Sequence, residues 1–245
     1  MTRSPSRLHL FLAAFGLLAS PLIAAAALQP FAHSGSGSEP APPWRVVGLP
    51  RQAEPVTGFS VVALEGRRAL RVAAQASYGN LVHPLRLAQP HRHLAWDWRV
   101  DLPNTAADLR RRDGDDSALK VCTLWDMPLK QVPFFERQLL RLARSRTNEP
   151  LPAATVCYVW DSKLPRDTQL ASAYTGRLRY LVLRGAGDPL QRWAHERRDL
   201  AADFTRLFGA ETNELPPLVG VAVGADADNT RMHSLGHLAD LRFEP

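Results

Sequence analysis

Cysteine is scarce in this chain of 245 residues, which has two, against 20 prolines and 15 glycines. Two cysteines allow one disulfide at most. No Gly-x-Ser-x-Gly elbow, phosphate-binding loop or dinucleotide fingerprint occurs, and the Glu of a zincin helix is missing, so those chemistries have no foothold. Long apolar runs are also lacking. The run Leu8–Ala19 spans 12 residues, whereas a membrane-crossing helix needs roughly 20. Basic residues outnumber acidic ones by 30 to 24, but they are scattered, with short clusters only at Arg110–Arg112 and Glu196–Arg198. Nucleic acid is therefore not an expected partner.

The N-terminus carries a basic start (Arg3, Arg7), the apolar run and the small residues of "SPLIAAAA". This is the pattern of a secretory signal peptide over residues 1–27, cleaved near Ala27, and it predicts a periplasmic or secreted protein. Losing Arg3 and Arg7 takes the formal charge from +6 to +4, which suits an anionic envelope polymer or lipid surface and equally suits a plain soluble protein. Residues 28–43, "LQPFAHSGSGSEPAPP", lack periodicity and read as a flexible lead-in. Residues 44–245 then form one domain.

That domain reads as β. Val61–Ala74 is a hairpin about Gly66, and Leu94–Asp101 alternates, with Trp96, Trp98 and Val100 on one face. Further strands are expected at Ser117–Trp125, Ala154–Trp160, Arg177–Leu183, Gln191–Arg197, Leu218–Gly224 and His237–Glu244. Many short strands broken by Pro and Gly predict a mainly β, two-sheet antiparallel sandwich, jelly-roll-like, with one or two capping helices. Asp199 begins one helix, whose Leu200, Phe204, Leu207 and Phe208 form an apolar stripe. The other, Pro133–Arg146, is apolar with four arginines, and either docks on the sandwich or lies on a membrane surface.

Two acidic turns stand out, "DGDD" (Asp113–Asp116) and "DADNT" (Asp226–Thr230). Asp in such turns accepts backbone N–H bonds. Were the turns to converge, Asp113, Asp115, Asp226 and Asp228 could supply oxygens for a structural Ca²⁺, although neither turn follows the EF-hand pattern. Adjacent Asp115 and Asp116 point to opposite faces and make a poor catalytic pair. Asp115 or Asp116 with Asp226 remains the pairing open to a glycan hydrolase or lyase. Histidine pairs His91/His93 and His233/His237 lack a third ligand and read as ordinary. Trp96 and Trp98 fill the core, whereas Trp125 and Trp160 end their strands near a rim, where a tryptophan can stack on a sugar ring. Asp115, Asp116, Trp125, Trp160 and Asn229 are thus the candidate ligand contacts. Cys122 and Cys157 either form a disulfide, if their strands are neighbours in register, or remain two buried thiols.

The runs "GDDSALKV", "YVWDS", "RWAHERRDLAADFTRLFG", "VGVAVGADADNT" and "LADLRFE" together resemble, in order and spacing, the bacterial family catalogued as domain of unknown function 3047. The resemblance implies a secreted, β-rich single domain of bacterial envelopes, and it implies no activity. Its motifs fall here on Gly114, Asp115 and Asp116, on Tyr158, Val159 and Trp160, on Arg198, Asp203, Phe208 and Gly209, and on Asp226, Asp228, Asn229 and Thr230. This chain departs from the family with Lys120 in place of Arg, with Ala225 and Ala227 in place of Thr, and with "HLAD" in place of an aromatic-Gly-Asp in the last strand. The expected function is a non-catalytic sandwich that binds an envelope carbohydrate. The alternatives are the hydrolase or lyase just described, and a structural partner at a membrane surface.

Overall fold

The computed structural model describes residues 28–49, 52, 55–87, 93–146 and 151–245. The expected signal peptide and His91 lie outside the described residues. Twelve strands and two helices follow in order: β1 Arg45–Val47, β2 Gly58–Leu64, β3 Arg67–Gln75, β4 Tyr78–Leu87, β5 His93–Leu102, β6 Ser117–Trp125, α1 Phe134–Arg144, β7 Ala154–Trp160, β8 Gln169–Ala171, β9 Leu178–Arg184, β10 Ala194–Asp199, α2 Leu200–Phe208, β11 Leu218–Asp226 and β12 His233–Glu244. They make two sheets, one of seven strands ordered β1-β4-β11-β6-β7-β9-β8 and one of five ordered β10-β5-β12-β3-β2. All pairings within these sheets are antiparallel except β7 with β9, which run parallel. The domain is a β-sandwich.

Local chemistry explains the joints. Glu65 and Gly66 both take positive φ (51° and 77°), the two-residue turn whose twist matches the strands it joins. Strand β4 contains Gly79, Asn80 and Pro84, which read as breakers. Pro84 lies opposite Gly220, where the β4–β11 register shifts, so the missing N–H falls at an irregularity. Helix α2 begins at Asp199, whose side chain accepts the Ala202 N–H at 3.0 Å and satisfies one free donor of the first turn.

Between the sheets lies one large core. Trp96 and Trp98, at period 2 on β5, both point inward. Trp96 meets Tyr158 at 5.3 Å between ring centres, and Trp98 meets Trp160 at 5.6 Å. Leu28 and Phe31 also belong to this core, and Gly37 and Ser38 exchange backbone bonds with Val61. The stretch expected to be a loose lead-in is therefore packed, because its two large apolar side chains find room beside Trp44.

A second, smaller apolar cluster covers the outer face of the seven-stranded sheet. It comprises Leu109, Cys122, Cys157, Val159, Leu164, Tyr180, Val182 and Ala222. The loops 103–116 and 161–168 carry Leu109 and Leu164 onto it. Cys122 and Cys157 face one another in the β6–β7 register and are joined as a disulfide.

Candidate functional site

Both acidic turns sit at one end of the sandwich, where β6 starts and β11 ends, and there they meet. Asp226 is buried on the outer face of β11, and its Oδ1 accepts both the N–H and the hydroxyl of Ser117 at 2.7 Å. Its Oδ2 accepts a hydrogen bond from the ammonium of Lys120, which is itself fully enclosed. Burial is the largest influence and acts to lower the Lys120 pKa, but the charge and hydrogen bond of Asp226, with Tyr78 and Asp115 beside them, together outweigh it and hold the ammonium above its ordinary value. Asp115 accepts Tyr180 Oη–H at 2.9 Å and Ser172 Oγ–H at 2.7 Å. Burial pushes its carboxyl up, against the opposing effect of those two donors.

Asp116 ties the two turns together. Its Oδ2 accepts Thr230 N–H at 2.8 Å and Thr230 Oγ1–H at 2.6 Å, and its Oδ1 accepts Asn229 Nδ2–H at 3.0 Å. Asn229 is held on its other side by Tyr174, whose hydroxyl donates to Asn229 Oδ1 at 2.7 Å. The convergence of Asp113–Asp116 with Asp226–Asn229, which the sequence left open, thus occurs, with one exception. Asp113 is exposed and forms a two-pronged pair with Arg111, away from the cluster.

The expected Ca²⁺ ligand set does not assemble. Among the described residues no group of three or more His, Cys, Asp and Glu side chains is placed to hold a metal ion. The oxygens of Asp115, Asp116 and Asp226 are occupied by N–H and O–H donors, and the one cation among them is Lys120. The arrangement fits internal bonding and does not fit a divalent ion, which would need those oxygens free. The same bonds occupy the carboxylates of the pairing left open to a hydrolase or lyase, Asp115 or Asp116 with Asp226. Asp228 differs: its Oδ1 has no hydrogen-bond partner among the described residues, and burial and the charge of Asp116 raise its pKa.

The rim tryptophans are corrected as well. Trp125 is wholly buried against Phe204 of α2, 5.0 Å between ring centres, with its Nε1–H on Thr123 Oγ1 at 2.9 Å. Ending a strand does not put a side chain on the rim when a helix closes that end. Trp160 packs on Trp98, and only its edge reaches a hollow at the opposite end. The histidines are ordinary: His237 lies buried beside Asp101 at 3.2 Å, on the strand expected there.

The open concavity lies beside the acidic cluster and was not foreseen. A hollow of about 130 Å³ is lined by Pro103, Thr105, Trp160, Asp161, Ser162, Gly185, Ala186 and Leu190. It shares Gly185 and Ala186 with a shallower groove of about 410 Å³ between the turns Lys163–Arg166 and Gly185–Asp188. Asp161, 2 % exposed, closes the turn after β7, its Oδ1 accepting the N–H of Lys163 at 2.6 Å and of Leu164 at 2.5 Å. Its Oδ2 is buried and has no hydrogen-bond partner among the described residues. Burial raises the Asp161 carboxyl pKa, and the two N–H donors oppose the rise. Gly185 is required there, because a Cβ would come 2.6 Å from Leu164 O. The signal in the sequence was "WDSK" followed by "RGAGD", two short turns that each end a strand.

The model of the family described as "Protein of unknown function (DUF3047)" matches residues 42–242. The chain belongs to this family. No curated protein matches it. Among solved structures, similar chains include the K2 cleaved adhesin domain of Lys-gingipain, at 10% identity and TM-score 0.41, covering 90% of this chain and 100% of that one. Another is TmCBM61 in complex with beta-1,4-galactotriose, at 9% identity and TM-score 0.35, covering 83% and 90%. A third is the xyloglucanase domain of NopAA, a type three effector from Sinorhizobium fredii, in complex with cellobiose, at 7% identity and TM-score 0.41, covering 81% and 91%. In this DUF3047 protein the family motifs serve two buried joints. Asp115, Asp116, Asp226, Asn229 and Thr230 bond the two turns together, while Arg198 holds Asp203 through two hydrogen bonds of 2.9 and 2.7 Å at the foot of α2. Ala225 and Ala227, where Thr was expected, are both fully buried, and Lys120 occupies the site of the expected Arg as the cation of the cluster.

Proposed function

We propose that this DUF3047 protein is an exported, non-catalytic binding protein, and that its ligand is a polyhydroxylated envelope carbohydrate seated in the hollow at Asp161. The observation that carries the reading is the unpartnered Asp161 Oδ2 beside a preformed cavity. A buried acceptor without a donor costs roughly 1–3 kcal/mol, and a ligand hydroxyl that enters the hollow and draws the Asp161 side chain toward it would remove that cost. Thr105 and Ser162 add hydroxyls that donate or accept, while Ala186, Leu190 and the Trp160 edge supply the apolar wall that a pyranose ring presses against. The adjoining groove gives a chain of sugars somewhere to run. The Cys122–Cys157 disulfide accords with an oxidising compartment.

The test is a glycan-array screen of the purified protein beside Asp161→Asn and Ala186→Trp. Asparagine keeps an oxygen for the two backbone donors but places an amide where Oδ2 lies, and tryptophan fills the hollow. The reading expects at least one glycan class to bind the wild type and to lose tenfold or more in both variants. Binding that survives both substitutions, or no binding to any glycan, overturns it.

A further inference from the structure

Helix α1 lies at the other end of the sandwich, between the end of β6 and the start of β7, with an apolar face that the described residues do not cover. Phe135 is 81% exposed, Leu139 61% and Leu142 47%, at i, i+4 and i+7, and Phe134 beside them is 59% exposed. Only Leu140 of this helix is buried. Contiguous exposed apolar side chains of this size mark a surface that meets something other than water. The charge is one-sided. Arg141 and Arg146 are exposed at the helix and its last turn, while Arg137 and Arg144 turn toward the domain, Arg144 donating twice to Leu151 O; the single acidic residue of the helix is Glu136. Glu136 is turned inward, where it accepts the Gly176 N–H at 2.9 Å and the Thr175 hydroxyl at 3.1 Å, 3.7 Å from Arg177.

We infer that α1 docks the domain on a bilayer bearing anionic phospholipid headgroups. Phe134, Phe135, Leu139 and Leu142 enter the headgroup–acyl boundary, and the arginines remain at the phosphate level. An apolar stripe flanked by guanidinium groups is the composition that lies in a membrane interface. The cations supply the preference for acidic lipid. A second copy of the chain would have to bring the exposed Arg141 and Arg146 against their own kind, so charge complementarity favours the lipid. Strand β7, seven residues long, separates α1 from the Asp161 hollow by about 20 Å, so a docked domain holds the hollow away from the bilayer. This inference does not depend on what the hollow binds.

The experiment is co-sedimentation of the full chain with vesicles of phosphatidylcholine alone and with 30% phosphatidylglycerol. Wild type is compared with Phe135→Glu/Leu139→Glu and Arg141→Glu/Arg146→Glu. All three carry the apolar run Leu8–Ala19, so differences between them report α1. The substituted side chains are exposed, and circular dichroism checks that each variant is folded. The expected result is a loss of at least tenfold in partitioning onto the acidic vesicles for either variant, with the arginine variant also losing the preference for them. Equal partitioning of all three proteins overturns the inference. So does a wild-type dimer in light scattering that Phe135→Glu/Leu139→Glu dissociates, since a second copy would then cover the face.

Discussion

The Lys120–Asp226 pair is the point at which the acidic turns can be tested most sharply. Lys120→Met keeps the length and apolar contacts of the side chain and removes the ammonium. Asp226 then sits buried with its Oδ2 uncompensated, although Ser117 still donates twice to Oδ1. Breaking a buried pair by removing one partner costs about 3–5 kcal/mol. For a domain of this size each kcal/mol moves Tm by about 2–4 °C, so Tm should fall by roughly 6–20 °C. Asp226→Asn should cost a similar amount, because it strands the ammonium. The double variant Lys120→Met/Asp226→Asn leaves neither member of the pair charged and keeps an oxygen for Ser117, so it should recover most of the loss. The assay is urea unfolding of the four proteins at one pH, treated as a double-mutant cycle. The pH dependence has a definite sign. The Lys120 pKa is raised in the fold, so its stabilisation is complete below the ordinary value of 10.5 and is lost as pH rises through the folded value. Alkaline unfolding of the wild type should therefore steepen above about pH 10.5, and the Lys120→Met protein should lack that step. Single variants costing less than about 1 kcal/mol, or a double variant that simply sums them, would refute the idea that this pair clamps the turns.

Removing the disulfide with Cys122→Ala/Cys157→Ala opens a loop of 35 residues. The chain-entropy relation then gives a loss of about 3.8 kcal/mol, measurable as a lower urea midpoint that reductant also produces in the wild type. Trp125→Ala should lower stability by about 3–5 kcal/mol through the cavity it leaves against Phe204, and calorimetry would show a structural side chain. Asp161 has a folded pKa raised above 3.8, so its contribution to stability is present below that value and lost as pH rises through the folded value. Asp161→Asn should flatten this part of the urea-midpoint profile as pH rises above about 4, and an unchanged profile would place the orphaned charge elsewhere.

Much of the sandwich was legible because period-2 alternation is a property of neighbouring residues. Ser117–Trp125 and Ala154–Trp160 were foreseen with their observed limits, and the stripe of α2 with its Asp199 cap. Strand β4 was not, since Gly79, Asn80 and Pro84 carry turn signals that only pairing with β11 overrides. The reach of Leu28 and Phe31 into the core was hidden by the Ser, Gly and Pro around them. At the site, the same turn chemistry admitted a cation ligand set or internal caps. Which one holds depends on Lys120, Tyr180 and Ser172 arriving from other strands, a matter of three-dimensional register. Trp125 and Trp160 end their strands as foreseen, but α2 and Trp98 cover them. Asp161 follows Trp160 just as Asp126 follows Trp125, and the sequence alone does not tell them apart. Only its burial, with one oxygen on two backbone N–H groups and the other on none, sets it apart from Asp126, which is exposed at the matching place after β6.

The most direct measurement of the binding claim is a ¹H–¹⁵N shift map of the protein titrated with the best-binding oligosaccharide of the array. The account predicts saturable shifts at Thr105, Asp161, Ser162, Ala186 and Leu190, with the amides of Lys163 and Leu164 moving as Asp161 Oδ2 gains its donor. Shifts confined to Tyr174, Asn229 and Thr230, or spread over the face of the five-stranded sheet, would contradict it.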